Sequence, residues 1–352
     1  MLDTDFLNRG ASDKREKWID CLRGFCMFLV VFMHVENFTI GIRASESVVM
    51  QIIFTFFLTT FFFISGYVSY KKHVEWNCKF TLFQLVKKFK QFVIPTIIFN
   101  ILYNTCFVGE PFLFLTEGFL GFWFLVVLFE VFVIYYIVNY LCYLFKVVHF
   151  EIIIFITIFL LYIYPYVSPI NGSLYKMFSI SNLTMYFPFF IIGVLSRKYI
   201  YVFKRIINSE YVFTFTFILF VVIEYIICSA HTTDMYLVYG KVGFLIQLIV
   251  KYIATYLLVA VFCRNADYFS SESFCTKYLE LLGRRTLDVY LIHWFFIPSI
   301  PMLNIYVQGG KNPLLEIVFS ALLAIFLIML SYVLGACIRS SKFLRILLLG
   351  LK

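Results

Sequence analysis

Charge is what this sequence has least of. Only 14% of its 352 residues are Asp, Glu, Lys or Arg, while 62% are hydrophobic and the mean hydropathy is +0.91. A soluble domain carries roughly 25% charged and 45–50% apolar residues, so a water-soluble globule has nowhere to hide this excess. The same arithmetic excludes a disordered chain, a collagen, a coiled coil and a disulfide-stapled domain. The nine cysteines are scattered and form no C-x-x-C, so they read as small buried hydrophobes. There is no G-x-x-x-x-G-K-[ST], no H-E-x-x-H, no Cys/His zinc spacing and no G-x-S-x-G. P-loop ATPase, metalloprotease and nucleophile-elbow chemistry therefore find no support, and no metal or bound cofactor is expected.

What is there is apolar length. A transmembrane helix takes ~20 predominantly apolar residues. Ten segments qualify: 18–38, 49–70, 91–108, 119–145, 150–168, 183–200, 211–230, 242–263, 286–307 and 314–338. The aromatic share of 21% supplies lipid-facing and packing surface for them. The net charge of +9 would suggest nucleic acid in a soluble chain; in a membrane chain it asks on which side the cations sit. With the amino terminus cytoplasmic, 23 of the 29 basic residues fall on the cytoplasmic side. Only Arg43, Lys176, Lys241 and Lys311 fall outside, and Arg23 and Lys251 lie within spans. This positive-inside bias predicts an all-α, polytopic membrane protein of about ten transmembrane helices, N-in and C-in. One membrane domain over 1–352 is expected, with 1–17 as a cytoplasmic N-terminal segment and 339–352 as a cytoplasmic tail. The first apolar run lacks a small-residue cleavage site, so it is expected to be retained. The longest loops, about 71–90 and 264–285, are expected to be cytoplasmic.

Ionisable groups inside a span cost ~2.5–3.5 kcal/mol each on insertion scales and usually face a bundle interior or a wet cavity. The first span, W-I-D-C-L-R-G-F-C-M-F-L-V-V-F-M-H-V, carries Asp20, Arg23 and His34. Arg23 and His34 are close to three full turns apart, on one face and ~16 Å apart along the axis. Asp20 lies within reach of an i,i+3 pair with Arg23. Arg23 is also readable as a snorkelling cation, Asp20 as its partner only, and His34 as a helix–helix hydrogen bonder. Imidazole is, however, the side chain suited to base work near neutral pH. Ser65 and Gly66 in F-F-F-I-S-G-Y permit close helix approach. Trp123 and Glu130 share a face of the fourth span. His293 follows Asp288 and Tyr290 in G-R-R-T-L-D-V-Y-L-I-H-W as a second intramembrane histidine. Glu224 and Lys251 are given no role, a mutual ion pair being one possibility. Lys87, Lys88 and Lys90, in L-V-K-K-F-K-Q-F-V-I-P, are either a topology signal or an anion site at a cavity mouth.

These residues carry a resemblance. The sequence resembles the acyltransferase-3 family of integral membrane acyltransferases, especially the single-domain O-acetyltransferases that decorate bacterial surface polysaccharides. It does so over nearly the whole chain: through K-W-I-D-C-L-R-G-F-C-M-F-L-V-V-F-M-H with its Arg-x10-His spacing, F-F-F-I-S-G-Y at 61–67, the basic stretch and Pro around 87–95, W-F-L at 123–125, Y-F-P-F-F-I-I-G at 186–193 and G-R-R-T-L-D-V-Y-L-I-H at 283–293. The resemblance implies a cytoplasmic acyl-CoA donor, usually acetyl-CoA, as co-substrate. It implies transfer to a hydroxyl of a surface glycan or lipid-linked saccharide at the bacterial inner (plasma) membrane, with lipid as a further partner and no nucleic acid. On that carry-over His34 is the essential histidine and general base, Arg23 is its motif partner with Asp20 beside it, and Lys87, Lys88 and Lys90 bind the donor. The last three are often arginines in the family; lysine keeps the charge but loses bidentate phosphate geometry. Ser65, Trp123, Glu130, Tyr290 and His293 are expected to line the acceptor cavity. A covalent acyl-histidine route stays open beside the direct one. Two rival expectations are a transporter or flippase for a lipid-linked sugar or polar solute, and transfer of a different acyl group such as succinyl.

Overall fold

The computed structural model describes residues 15–350 other than 73, 148–149, 168–172, 230–234, 301 and 308–311. Residues 1–14 and 351–352 of the expected cytoplasmic termini, with Arg9, Lys14 and Lys352, lie outside the described residues, as does Lys311 of an expected outer loop. The described chain is helical throughout, with no strand. The principal helices are α1 Lys17–His34, α2 Val48–Phe54, α3 Phe57–Ser69, α4 Cys78–Lys88, α5 Ile94–Phe107, α6 Trp123–Leu144, α7 Phe150–Val167, α8 Ile180–Lys198, α9 Glu210–Ser229, α10 Met235–Arg264, α11 Phe274–Arg284, α12 Thr286–Ile292, α13 Pro313–Ser340 and α14 Lys342–Leu349. Seven helical stretches among the described residues are long and apolar enough to cross a bilayer: Lys17–Ile40, Val48–Ser69, Trp123–Leu144, Tyr175–Lys198, Glu210–Ser229, Val242–Arg264 and Pro313–Ser340. Each coincides with an expected span.

The other three expected spans take different forms. Residues 150–167 form α7. Residues 91–108 belong to a continuous helical path in which α4 passes through a π turn, Phe89–Val93, into α5. The basic stretch expected in a loop is thus on helix; Asn77 starts it by accepting the Phe80 amide at 2.9 Å. The third case is a correction. Residues 286–307 are not one helix: α12 ends at Ile292, a 3₁₀ turn follows over His293–Phe295, and helix resumes only at Leu303–Val307. Pro298 removes an amide donor that a continuous helix needs there. The Ile300 amide bonds instead to the Thr39 carbonyl at 3.0 Å. The cysteine expectation holds for Cys21 and Cys26; the other seven are half-buried or exposed, and all nine are free thiols.

The chain divides into two compact units. One contains Val68–Val194 and Ala336–Lys352, and the other Glu16–Tyr67 and Leu195–Gly335. In the second, α1 is the central element: 78% of its apolar window is buried, against 11% for the peripheral α9. The chain achieves this centrality with small residues. A β-carbon at Gly24 would overlap the Leu279 carbonyl of α11, and one at Gly283 would overlap the Asp20 carbonyl of α1. The two backbones therefore touch, as small residues allow where lipid tails provide no hydrophobic drive for association. Beyond His34, α1 runs into a π turn, Val35–Ile40, closed by Gly41 in the left-handed region (φ 80°). The Glu36 carbonyl accepts both the Gly41 and Ile42 amides at 3.0 Å. In the first unit, the α14 helix packs on α5, and Gly350 meets the Lys90 backbone so closely that a side chain has no room.

The α1–α11 crossing gives a direct expectation. Gly24→Val should lower the thermal unfolding midpoint in detergent by the equivalent of ~1–3 kcal/mol or more, the usual cost of overpacking. The exposed substitution Ile137→Val should leave it unchanged. Equal midpoints for Gly24→Val and wild type would mean the helices do not approach this closely.

Candidate functional site

The two histidines that sequence placed inside the membrane come together. His34 ends α1, and His293 opens the 3₁₀ turn after α12. His34 Nδ1 and His293 Nε2 are 2.8 Å apart. The rings are parallel to within 1° with centroids 5.1 Å apart. Parallel rings at that spacing with nitrogens so close must meet edge to edge, so the N–H points along the in-plane lone pair of its partner. His293 Nδ1 is 2.8 Å from the Val289 carbonyl one turn back. A carbonyl only accepts, so His293 Nδ1 carries a hydrogen. With both rings neutral, His293 Nε2 is then an acceptor, His34 Nδ1–H donates to it, and His34 Nε2 is left with a free lone pair.

Burial separates the two rings. His293 is fully buried, whereas His34 is half-buried. Trp294 packs on His34 with centroids 4.3 Å apart, and the exposed Phe38 stands 5.8 Å from it, edge on. Tyr290 is buried with its ring 6.2 Å from His293. Trp294 and Phe38 were not picked out from the sequence. The available signals were adjacency to His293 and, for Phe38, one turn beyond His34; neither is specific in a chain with 46 phenylalanines.

Arg23 and Asp20 lie at the other end of α1. The Arg23 guanidinium is 4.0 Å from the buried Asp20 carboxylate, and Arg284 of α11 approaches the same carboxylate at 3.9 Å. At 1.5 Å per residue Asp20 is ~21 Å of helix from His34, so the two make no direct contact. Ser65 is half-buried on α3. The possible pair between Glu224 and Lys251 does not form. Both are buried, the Glu224 oxygens find no hydrogen-bond partner, and the Lys251 ammonium sits 5.6 Å from the Phe54 ring centroid.

The first unit holds the remaining candidates. Lys87 and Lys90 are exposed. The Lys88 ammonium is covered by aromatic faces, 4.1 Å from the Phe132 centroid and 5.0 Å from that of Phe92. Lys71 extends the basic patch; burial, and after it the Lys87 charge, lowers its pKa. On α6, Trp123 is half-buried and stacks on Tyr186 at 5.9 Å and 21°. Glu130 is half-buried with both oxygens shielded and unpartnered. No cluster of three or more His, Cys, Asp or Glu suited to a metal occurs among the described residues.

A family model described as an acyltransferase domain matches residues 16–334, nearly the whole chain. The chain belongs to the acyltransferase-3 family. No curated protein and no solved structure matches it. Seven apolar helices and this membership make it an integral membrane acyltransferase. A neutral imidazole with a hydrogen on one ring nitrogen and a lone pair on the other is chemically able to accept a proton.

The burial difference is testable. After brief exposure to diethyl pyrocarbonate, site-resolved mass spectrometry should find the adduct on His34 and none on His293. Equal modification of both would contradict the arrangement.

Proposed function

We propose that this acyltransferase moves an acetyl group from cytoplasmic acetyl-CoA to a hydroxyl of a surface-glycan or lipid-linked sugar, with His34 as the general base. The single observation that carries this reading is the hydrogen-bonded chain from the Val289 carbonyl through His293 to His34. It leaves His34 Nε2 as the proton acceptor. His34 Nε2 takes the acceptor hydroxyl's proton as that oxygen attacks the thioester carbonyl carbon. The carbon–sulfur bond then breaks, and the same proton passes from Nε2 to the departing CoA sulfur. The products are the ester and free CoA, with no net proton change. His293 is a positioning residue: it holds the base in one tautomer and accepts the Nδ1–H hydrogen bond that strengthens when His34 becomes cationic.

Length supports the donor assignment. Arg23 and His34 are ~16 Å apart on one helix face. The phosphopantetheine arm of CoA has about 13 bonds between sulfur and phosphorus. At the roughly 1.1–1.2 Å per bond that an extended polypeptide realises, it spans about 15 Å. A donor with its phosphates at Arg23 thus presents its thioester at His34. Asp20 orients Arg23 from the side, so its contribution is to donor binding rather than to proton transfer. Lys87 and Lys90 attract the polyanionic donor at long range, a role that requires no contact. The acceptor is assigned to the aromatic surface of Phe38 and Trp294 beside the base, with Ser65 and Tyr290 as lining. The orientation that fits is N-in and C-in across ten membrane passages in the bacterial plasma membrane, with the chain acting as one domain.

Purified protein given radiolabelled acetyl-CoA and candidate glycans should transfer label. His34→Ala should lose ~10²–10⁴-fold of that rate at normal protein levels, the usual worth of a general base. His293→Phe keeps a ring of similar bulk but leaves the His34 Nδ1–H unpaired; it should lose ~10²-fold or more. Full transfer by His34→Ala would remove His34 as the base. Wild type that moves solute across vesicles without transferring acetyl would replace the enzyme reading with transport.

A further inference from the structure

In the first unit, two helices beside span ends have their polarity inside out. α4 turns Leu82, Phe83 and Val86 outward with Lys79 and Lys87 among them, and Phe89 and Lys90 extend that surface into the π turn. Its opposite face buries Thr81 and Gln84. A helix between a core and water has the reverse arrangement. α14 follows the long apolar α13 after a break at Ser341, whose backbone is extended (ψ 123°). It exposes Phe343, Leu344, Ile346 and Leu347. At 3.6 residues per turn these four fill an apolar arc of about 160°, with the exposed Lys342 at its border. The two helices meet: Gly350 closes α14 in the left-handed region (φ 61°) and lies against the Lys90 backbone. Both surfaces therefore belong to the same membrane boundary, whichever way the chain is inserted.

The charge on this surface has one sign. Residues 76–93 carry four lysines and residues 336–352 carry four Lys or Arg, and neither stretch contains an Asp or Glu. Arg345 points to what neutralises it. Its side chain is half-buried, and its Nε is shielded from solvent with no hydrogen-bond partner. A guanidinium donor cut off from water and left unpaired is costly, and a phosphate oxygen is the acceptor that fits it. An apolar helix face edged with Lys and Arg lies in the plane of the headgroup boundary, held by buried apolar area and by attraction to anionic lipid. We propose that α4 and α14 form an interfacial docking surface for anionic phospholipid. The apolar side chains enter the acyl boundary, and Lys342 and Arg345 hold headgroup phosphate. The usual excess of lysine at a span end accounts for neither the outward apolar faces nor the shielded Arg345 nitrogen. The surface goes beyond acyl transfer and does not depend on which acyl group or acceptor the enzyme uses.

The test is native mass spectrometry of the full chain, purified in detergent and stripped of lipid. It is titrated with phosphatidylglycerol or with phosphatidylcholine of the same acyl chains. Wild type should bind phosphatidylglycerol in preference. Each cation near an anionic surface is worth about fivefold, so the double variant Lys342→Gln, Arg345→Gln should lower that preference roughly tenfold or more. Lys176→Gln, whose lysine pairs with Glu117, should leave it unchanged. Equal binding of the two lipids by wild type, or the same preference in the double variant, would overturn the surface. Competition by the soluble headgroup glycerophosphoglycerol as strong as by the whole lipid would also overturn it, in favour of a free-anion site. Dimerisation that Phe343→Ser abolishes, with no lipid preference, would assign the face to a second copy instead. If the double variant fails to fold, wild type in molar sodium chloride decides: loss of the preference supports the surface, and a preference indifferent to salt overturns it.

Discussion

Everything proposed for catalysis rests on one hydrogen bond, that between His34 and His293. It links the end of one helix to a turn 259 residues away, and two backbone features make it possible. The first is the contact of α1 with α11 through Gly24 and Gly283, which sets α11, and the chain leading into α12, directly against α1. The second is the end of α12 at Ile292. Had the helix continued, His293 would be one more residue on a regular face; the 3₁₀ turn sets its ring edge to edge with His34 instead. The same turn keeps the Val289 carbonyl within reach of the far nitrogen, which fixes the direction of the proton chain.

The membrane makes this economy of polar contacts informative. In hydrocarbon an unpaired polar group costs several kcal/mol, so a buried polar group is either satisfied or serves a purpose. The histidines satisfy one another, and Asp20 is flanked by Arg23 and Arg284. Glu36 and Glu224 have no hydrogen-bond partner for their carboxylate oxygens. Glu224 and Lys251 are both buried but not joined to each other, and nothing in the structure explains them.

Much of the fold was legible in the sequence because hydrophobic length is a strong signal. Each of the seven apolar helices coincides with an expected span. The failures have one physical cause: apolar length says nothing about whether the backbone stays helical within it. Pro298 broke the segment after His293, and the amphipathic run Cys78–Phe107 continued as helix where its lysines suggested a loop. At the site, helical periodicity gave the shared face of Arg23 and His34, and polarity gave His293 as a candidate. The pairing of His293 with His34 and the packing of Trp294 on His34 depend on tertiary packing across hundreds of residues. No local spacing encodes them.

The central claim is that the histidine chain leaves His34 Nε2 bare and ready to accept a proton. Nitrogen-15 NMR of the histidine-labelled enzyme in detergent measures this directly, because the pattern of two-bond nitrogen–proton couplings identifies which ring nitrogen carries the hydrogen. The account predicts that His34 and His293 are both protonated on Nδ1 and bare on Nε2, with the His34 signals assigned by their loss in His34→Ala. A His34 protonated on Nε2 would contradict it, since that ring would have no lone pair to offer an acceptor hydroxyl.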